Sequence, residues 1–220
     1  SILKRMYCNS KVFTIKVRPS HLAVEEFTSL PAEKKEEIDL LKGHMPFGLH
    51  AHFKNKEAKY ITLFRNPVDR IVSHYEYVLR HPEHYLHDKV KNSKLTLLDY
   101  ALSDLSNELD NYQCRSLLFS DQKVDMNKFT EQSYKQAMEN LQKYFISFGL
   151  VEEFDRSLLL FRRELGWTQY PYYITLNAKP EAQKNPISSE VVNKIATRNH
   201  WDIRLYNWAK EEFNRRVQMV

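Results

Sequence analysis

Only two cysteines occur in the 220 residues, Cys8 and Cys114, far apart and outside any Cys-x-x-Cys pair. Their scarcity excludes a disulfide framework and a cysteine-based zinc site, and leaves two buried thiols as the expectation. Glycine is nearly as sparse, with four in all. Without a fixed-period repeat either, the chain is neither linker-rich nor a repeat array. No apolar run nears the roughly 20 residues that span a bilayer, and the first residues carry no signal-peptide core. The run Gly-x-x-x-x-Gly-Lys-Ser/Thr that cradles phosphates in nucleotide kinases is missing, as are Asn-x-Ser/Thr glycosylation sites.

What is present is a core. Hydrophobic residues make up 42% of the chain, with 13 Tyr, 12 Phe and 3 Trp, enough for one substantial, enzyme-like domain over residues 1–220. A formal net charge of +5 suits anionic partners, whether nucleotide phosphates, acidic glycans or nucleic acid. Acidic and basic residues are interspersed rather than gathered in a stripe, which argues against dedicated nucleic-acid binding.

Three short apolar segments, Val12–Ile15, Ile38–Leu41 and Tyr60–Phe64, read as strands covered on both faces, the kind found in a parallel sheet. Tyr144–Val151 reads as a fourth and Tyr172–Leu176 as a fifth. Helices are predicted around Leu22, Val24 and Phe27 behind Ser20, over Leu95–Leu105, Asn111–Phe119 and Glu131–Lys143, and from Phe154 to Leu165 with Gly166 as the stop. A last helix starts near Asn199 and places Leu205, Ala209, Phe213 and Val217 on one stripe. Met45–Lys59 and Lys179–Ser188 read as loops. This pattern is α/β: a three-layer fold of the P-loop-NTPase type, with a central, mostly parallel sheet flanked by helices.

The clearest local signal is Tyr60-Ile-Thr-Leu-Phe-Arg-Asn-Pro-Val-Asp-Arg-Ile-Val-Ser-His-Tyr75, a strand running directly into a helix. Asn66 suits the N-cap, Pro67 the first helical position and Asp69 the first turn. Such junctions lie at the carboxyl edge of the strands, where open α/β sheets bind ligands. Arg65 at the strand end and Ser73 two turns into the helix, on the side of Asn66 and Arg70, can together hold a phosphate, one by charge and a planar fork of donors, the other by a hydroxyl. The bland alternative is that Arg65 pairs with a carboxylate and Ser73 merely sits in the helix.

The run Leu63–Tyr75 resembles the cofactor 3′-phosphate motif of carbohydrate sulfotransferases, especially the heparan sulfate 2-O-sulfotransferase branch and its bacterial relatives. The resemblance implies that Arg65 and Ser73 bind the 3′-phosphate of 3′-phosphoadenosine 5′-phosphosulfate, with adenosine 3′,5′-bisphosphate as the product and no metal. Lys42-Gly-His-Met-Pro-Phe-Gly-Leu-His50 is similar to the segment that carries the family's catalytic base, which falls on His44. His50 is then placed on the acceptor side, and His50 and His52 are the substitutes for the base if the loop register differs. An imidazole titrating near neutrality can accept the proton of a sugar hydroxyl.

Weaker similarity runs through Leu109-Asp-Asn-Tyr-Gln-Cys-Arg115, Asn140–Leu165 and Trp201–Tyr206. It makes Arg115, with Gln113, a candidate contact for an acidic glycan, against a surface ion pair as the alternative. Lys184, in a loop resembling the one that closes over the nucleotide, is a candidate for the 3′-phosphate. The family's 5′-phosphosulfate loop after its first strand has no counterpart here, so the expectation is a chain lacking that strand and loop, with Ser1–Tyr7 resembling the helix that follows them.

The function implied is transfer of a sulfuryl group to a carbohydrate hydroxyl. The rivals are a P-loop-type nucleotide kinase fragment and a noncatalytic anionic-glycan-binding module. A bacterial cytoplasmic location is the expectation, with an anchored Golgi-lumenal protein as the alternative. Acceptor sugar, sulfated position and oligomeric state are not written in these residues.

Overall fold

The computed structural model describes residues 2–15, 20–45, 47–118, 129–173 and 186–218. In chain order the elements are α1 (Ile2–Met6), β1 (Val12–Ile15), α2 (Ser20–Thr28), α3 (Ala32–Glu36), β2 (Leu40–Gly43), β3 (Tyr60–Phe64), α4 (Pro67–Arg80), α5 (His87–Asn92), α6 (Leu97–Leu102) and α7 (Tyr112–Arg115). They continue with α8 (Glu131–Tyr144), β4 (Phe145–Leu150), α9 (Phe154–Leu165), α10 (Ser189–Arg198) and α11 (His200–Val217). The class is α/β, as the alternation of short apolar strands and longer amphipathic stretches requires. Among the described residues the strands pair two by two, β1 with β2 and β3 with β4, rather than in the single central sheet expected.

The chain divides into two compact units, and the division passes through β3, β4 and α9. One comprises Ser1–Thr62, Ser116–Ser147 and Leu158–Ile174; the other comprises Leu63–Arg115, Phe148–Ser157 and Thr175–Val220.

In the first unit β1 and β2 run parallel, in register from Val12↔Leu40 to Ile15↔Gly43. A parallel pair needs a crossover, and α2 and α3 supply it. Ile15, Phe27, Ile38 and Leu49 are buried together, with Phe13, Val24, Leu41 and Phe53 packed on them. The Phe27 ring lies 5.7 Å from those of Phe13 and Phe53. A second aromatic group centres on Phe47, whose ring is 5.0 Å from Tyr60 and 5.2 Å from Tyr144.

Gly43 is demanded by the sheet. Its φ is +138°, and a Cβ there would stand 2.1 Å from the Ile15 carbonyl oxygen. Gly43→Ala is therefore expected to cost more than about 2 kcal/mol, from backbone strain plus a contact that only main-chain movement relieves. A thermal melt should show the midpoint lowered by about 4–8 °C; an unchanged midpoint would mean that the β1–β2 pair is held some other way.

In the second unit α4, α5, α6 and α10 bury Ile71, Val78, Val90, Tyr100, Ala101 and Ile195 against one another. The stripe of α11 behaves as its spacing predicts at Leu205, Ala209 and Phe213, all fully buried. The start of α4 is as read from sequence. The Asn66 carboxamide oxygen accepts from the N–H groups of Val68 (2.9 Å) and Asp69 (3.3 Å), and Pro67 fills the first helical position. Gly166 ends α9 at φ +65°.

Three expectations are corrected. Tyr172 and Tyr173 are not in a strand, and the rest of the fifth strand candidate lies outside the described residues. Met45–Lys59 holds a turn of 3-10 helix over Leu49–His52. Of the two thiols only Cys114 is buried, and Cys8 is exposed.

Candidate functional site

Arg65 follows the last residue of β3 and precedes the cap of α4, so its main chain is fixed from both sides. Gln113 fixes it further. The Arg65 N–H donates to Gln113 Oε1 (2.8 Å), and Gln113 Nε2 donates to the Arg65 carbonyl (2.9 Å). One carboxamide thereby completes both backbone hydrogen bonds of the residue that follows the strand.

Gln113 is held in turn by Asp202, a fully buried residue. Its Oδ2 accepts the Gln113 N–H (3.0 Å) and its Oδ1 the Cys114 N–H (2.8 Å). Burial pushes the Asp202 carboxyl up from its ordinary range, opposed by Arg70 and these two N–H groups. Burial likewise lowers the Arg70 guanidinium, opposed by Asp202 and Glu108. Arg70 also donates to the Glu108 carbonyl.

Two asparagines finish this polar lock. Asn111, at φ +46°, accepts on its side-chain oxygen from the N–H groups of Trp201 (2.9 Å) and Asp202 (3.1 Å), capping α11 from a distant part of the sequence. Its own N–H donates to Asn199 Oδ1 (2.9 Å). The lock accounts for two segments singled out in the sequence, Leu109–Arg115 and Trp201–Tyr206, as partners of one another.

The arginine side chain is treated differently from its backbone. Arg65 is half-buried, and among the described residues no carboxylate or carbonyl pairs with its guanidinium. Ser73 is also half-buried, with no hydrogen bond from its hydroxyl among the described residues. It lies seven residues beyond Asn66, two turns along the same face of α4. His74 beside it is engaged at both ring nitrogens: Nε2 meets Glu108 Oε2 at 3.1 Å and Nδ1 meets the Tyr100 hydroxyl at 2.8 Å. That contact holds the Glu108 carboxyl below its usual range.

The histidines of the first unit separate by environment. His44 follows Gly43 at the carboxyl end of β2 and is exposed. His52 packs edge-on against Phe27, ring centres 5.9 Å apart. His50 is half-buried, and burial lowers its pKa. The Tyr60 hydroxyl accepts from the N–H of His50 (3.1 Å) and from that of Gly48. His50 Nδ1 also lies 3.0 Å from that hydroxyl, so one of its ring nitrogens is already engaged.

The remaining candidates are placed as follows. Arg115 is an ion pair, though a buried one: its side chain is 3% exposed, with Nη2 2.6 Å from Asp110 Oδ2 and Nε donating to the Asp110 carbonyl at 2.7 Å. Gln113 serves Arg65 from the interior. Lys184 lies outside the described residues. Sequence reasoning missed the lock, of which the polar residues Asn111, Gln113, Asn199 and Asp202 were the visible trace.

Among the described residues no group of three or more His, Cys, Asp or Glu is placed to hold a metal ion, and no helix is long and apolar enough to cross a membrane. In the first unit a cavity of about 480 Å³ is lined by all of β2, by Tyr60 and Ile61 of β3, and by His50.

A model of the galactose-3-O-sulfotransferase family matches residues 17–220. The resemblance seen in the sequence is thus upheld for carbohydrate sulfotransferases as a class, while the likeness to the heparan sulfate 2-O branch in particular is not what this match shows. No curated protein matches the chain.

Proposed function

Because the chain belongs to the galactose-3-O-sulfotransferase family, and so to the carbohydrate sulfotransferases, we propose that it transfers the sulfuryl group of 3′-phosphoadenosine 5′-phosphosulfate to the 3-hydroxyl of a galactose residue in a glycan. The observation that carries the reading is the contrast at Arg65. Its backbone is fixed on both sides by Gln113, yet its guanidinium has no acidic or carbonyl partner among the described residues. A half-buried cation held without an internal counter-charge is arranged for an external anion.

The donor fits the residues present: a 3′-phosphate offers acceptor oxygens to the Arg65 fork and to the Ser73 hydroxyl. An activated sulfuryl group on a phosphate leaving group is what the donor supplies. The protein's part is to orient and to move a proton. Arg65 and Ser73 fix the nucleotide, and the exposed imidazole of His44 takes the proton of the galactose hydroxyl on a ring nitrogen. The acceptor oxygen then bonds to sulfur as the bond from sulfur to the bridging phosphate oxygen breaks, and adenosine 3′,5′-bisphosphate departs with that electron pair.

Arg65→Ala tests this directly. The affinity for adenosine 3′,5′-bisphosphate, measured by calorimetric titration, should fall by about 10–150-fold, the worth of a charge-assisted contact. The thermal midpoint should hold, since Gln113 grips only the backbone. Arg65→Lys should recover part of the affinity, because an ammonium lacks the planar fork. Wild-type affinity in Arg65→Ala would remove the donor site from this strand end.

A further inference from the structure

We propose that the ring surface formed by Tyr77, His81, His84 and Tyr85 is where a neutral galactose residue of the acceptor glycan lies. This inference rests on the proposed transfer to galactose and adds the residues that hold the sugar. Asn66, Arg70, Ser73 and Tyr77 follow one another at i, i+4, i+7 and i+11, so they share one face of α4, and Tyr77 stands one turn beyond the hydroxyl proposed for the nucleotide. Its ring is stacked on that of His81, with centres 4.0 Å apart and 27° between the planes. His84 meets Tyr77 edge-on at 5.8 Å and lies 4.7 Å from Tyr85 at 32°. Four rings therefore join into one surface, and its two tyrosines stay 40% and 66% exposed. Single exposed aromatics are ordinary, but a contiguous group of them marks a place where something binds.

The surface is fixed from below. His84 also lies edge-on to His74, 5.6 Å between centres, and His74 is tied to Glu108 and to the buried Tyr100. The turn after α4 is closed by hydrogen bonds from the His84 N–H to the His81 carbonyl (2.9 Å) and from the His87 N–H to the His84 carbonyl (2.8 Å). The Tyr85 hydroxyl donates to Ser106 Oγ (2.9 Å), while the Tyr77 hydroxyl has no hydrogen bond among the described residues. Rings held in this way lose little freedom when a ligand settles on them. The chemistry selects a sugar of the galactose type. With its 4-hydroxyl axial, galactose gathers the C–H groups of carbons 3, 4 and 5 on one face. That face packs on the electron-rich face of an aromatic ring, and the sugar hydroxyls at its rim can meet the Tyr77 hydroxyl. Charge points the same way. Two carboxylates border the rings, Glu83 on His81 (3.0 Å) and Glu108 on His74 (3.1 Å). Arg80, the one basic residue between Tyr77 and Tyr85 in sequence, turns its Nε back to the Glu76 carbonyl (3.2 Å). An acidic sugar would meet like charge there, so the surface suits a neutral one.

The experiment titrates methyl β-galactoside into the protein in the presence of adenosine 3′,5′-bisphosphate, followed by NMR, and measures sulfuryl transfer to the same sugar. Tyr77→Ala should raise both the Kd and the transfer KM for the galactoside by about 10-fold, with kcat unchanged. Tyr77→Phe, which keeps the ring, should recover most of the affinity, and Tyr85→Ala should weaken binding in the same sense. Methyl β-glucuronide should bind the wild type more weakly than the galactoside does. The thermal midpoint and the nucleotide affinity of Tyr77→Ala should hold, since the side chain is exposed and the nucleotide is proposed to sit on Arg65 and Ser73. An unchanged Kd in Tyr77→Ala overturns the proposal, as does a galactoside that the wild type does not bind or a glucuronide that it binds more tightly. Loss of nucleotide affinity in Tyr77→Ala overturns it too, because the ring would then stack on the adenine. Galactoside binding that depends on Tyr77 without any sulfuryl transfer supports the sugar surface and overturns the proposed reaction, so the two fail separately.

Discussion

His44→Ala should lower the rate of sulfuryl transfer by about 10²–10⁴-fold, the usual contribution of a positioned general base, while the affinity for adenosine 3′,5′-bisphosphate changes by less than about twofold. The environment of each histidine in the segment is the reason for choosing this one. His50 has its Nδ1 engaged by the Tyr60 hydroxyl 3.0 Å away, and burial disfavours its charged form. His52 packs on Phe27. His44 is exposed behind Gly43, as the proposed base has to be to meet an incoming hydroxyl. The measurement is initial-rate transfer of labelled sulfate to a galactose-terminated oligosaccharide, with nucleotide binding followed in parallel. A variant that transfers at the wild-type rate sinks the assignment of the base. One that loses nucleotide binding as well reports a structural fault instead.

Replacing Asp202 by alanine should be the most damaging single change to stability, at about 3–5 kcal/mol. Two losses act together. The buried N–H groups of Gln113 and Cys114 lose their acceptors, and half-buried Arg70 loses the carboxylate that favours its charged form. For a chain of this length the thermal midpoint should fall by about 6–20 °C. Asp202→Asn keeps one acceptor oxygen but not the charge, and should fall between the alanine variant and the wild type. A double change, Asp202→Ala with Arg70→Met, should recover much of the loss, since the uncompensated cation is gone. If Asp202→Ala alone melts within about 2 °C of the wild type, the lock is not what holds α7 to α11.

Local rules were enough to read the junction at Arg65. Asn66, Pro67 and Asp69 act within four residues of one another, and the structure places them as capping chemistry requires. The stripes of α9 and α11 were equally open to reading, because a period of 3.6 is visible without knowing what the helix packs against. What escaped was long-range or mixed. The helix α10 begins with Ser188 accepting from the Val191 N–H at 3.4 Å, an ordinary cap, yet it was passed over because the polar stretch before it reads as loop. Gln113 and Arg115 were candidate glycan contacts by resemblance, with a surface ion pair as the other reading of Arg115. Both are buried, and their partners, Arg65 and Asp110, could not be ranked by spacing. The pairing of strands two by two was out of reach for the same reason, since a strand's apolar character says that it is covered and not which neighbour it bonds.

The hold that Gln113 and Asp202 exert on Arg65 has a consequence for timing during synthesis. Asp202 lies in the first turn of α11, so a ribosome that has not yet made that helix carries a strand end whose Gln113 clasp lacks its own support. The proposed nucleotide site is then completed only once α11 has been made, although every residue proposed to touch the nucleotide in the described part of the chain was made long before.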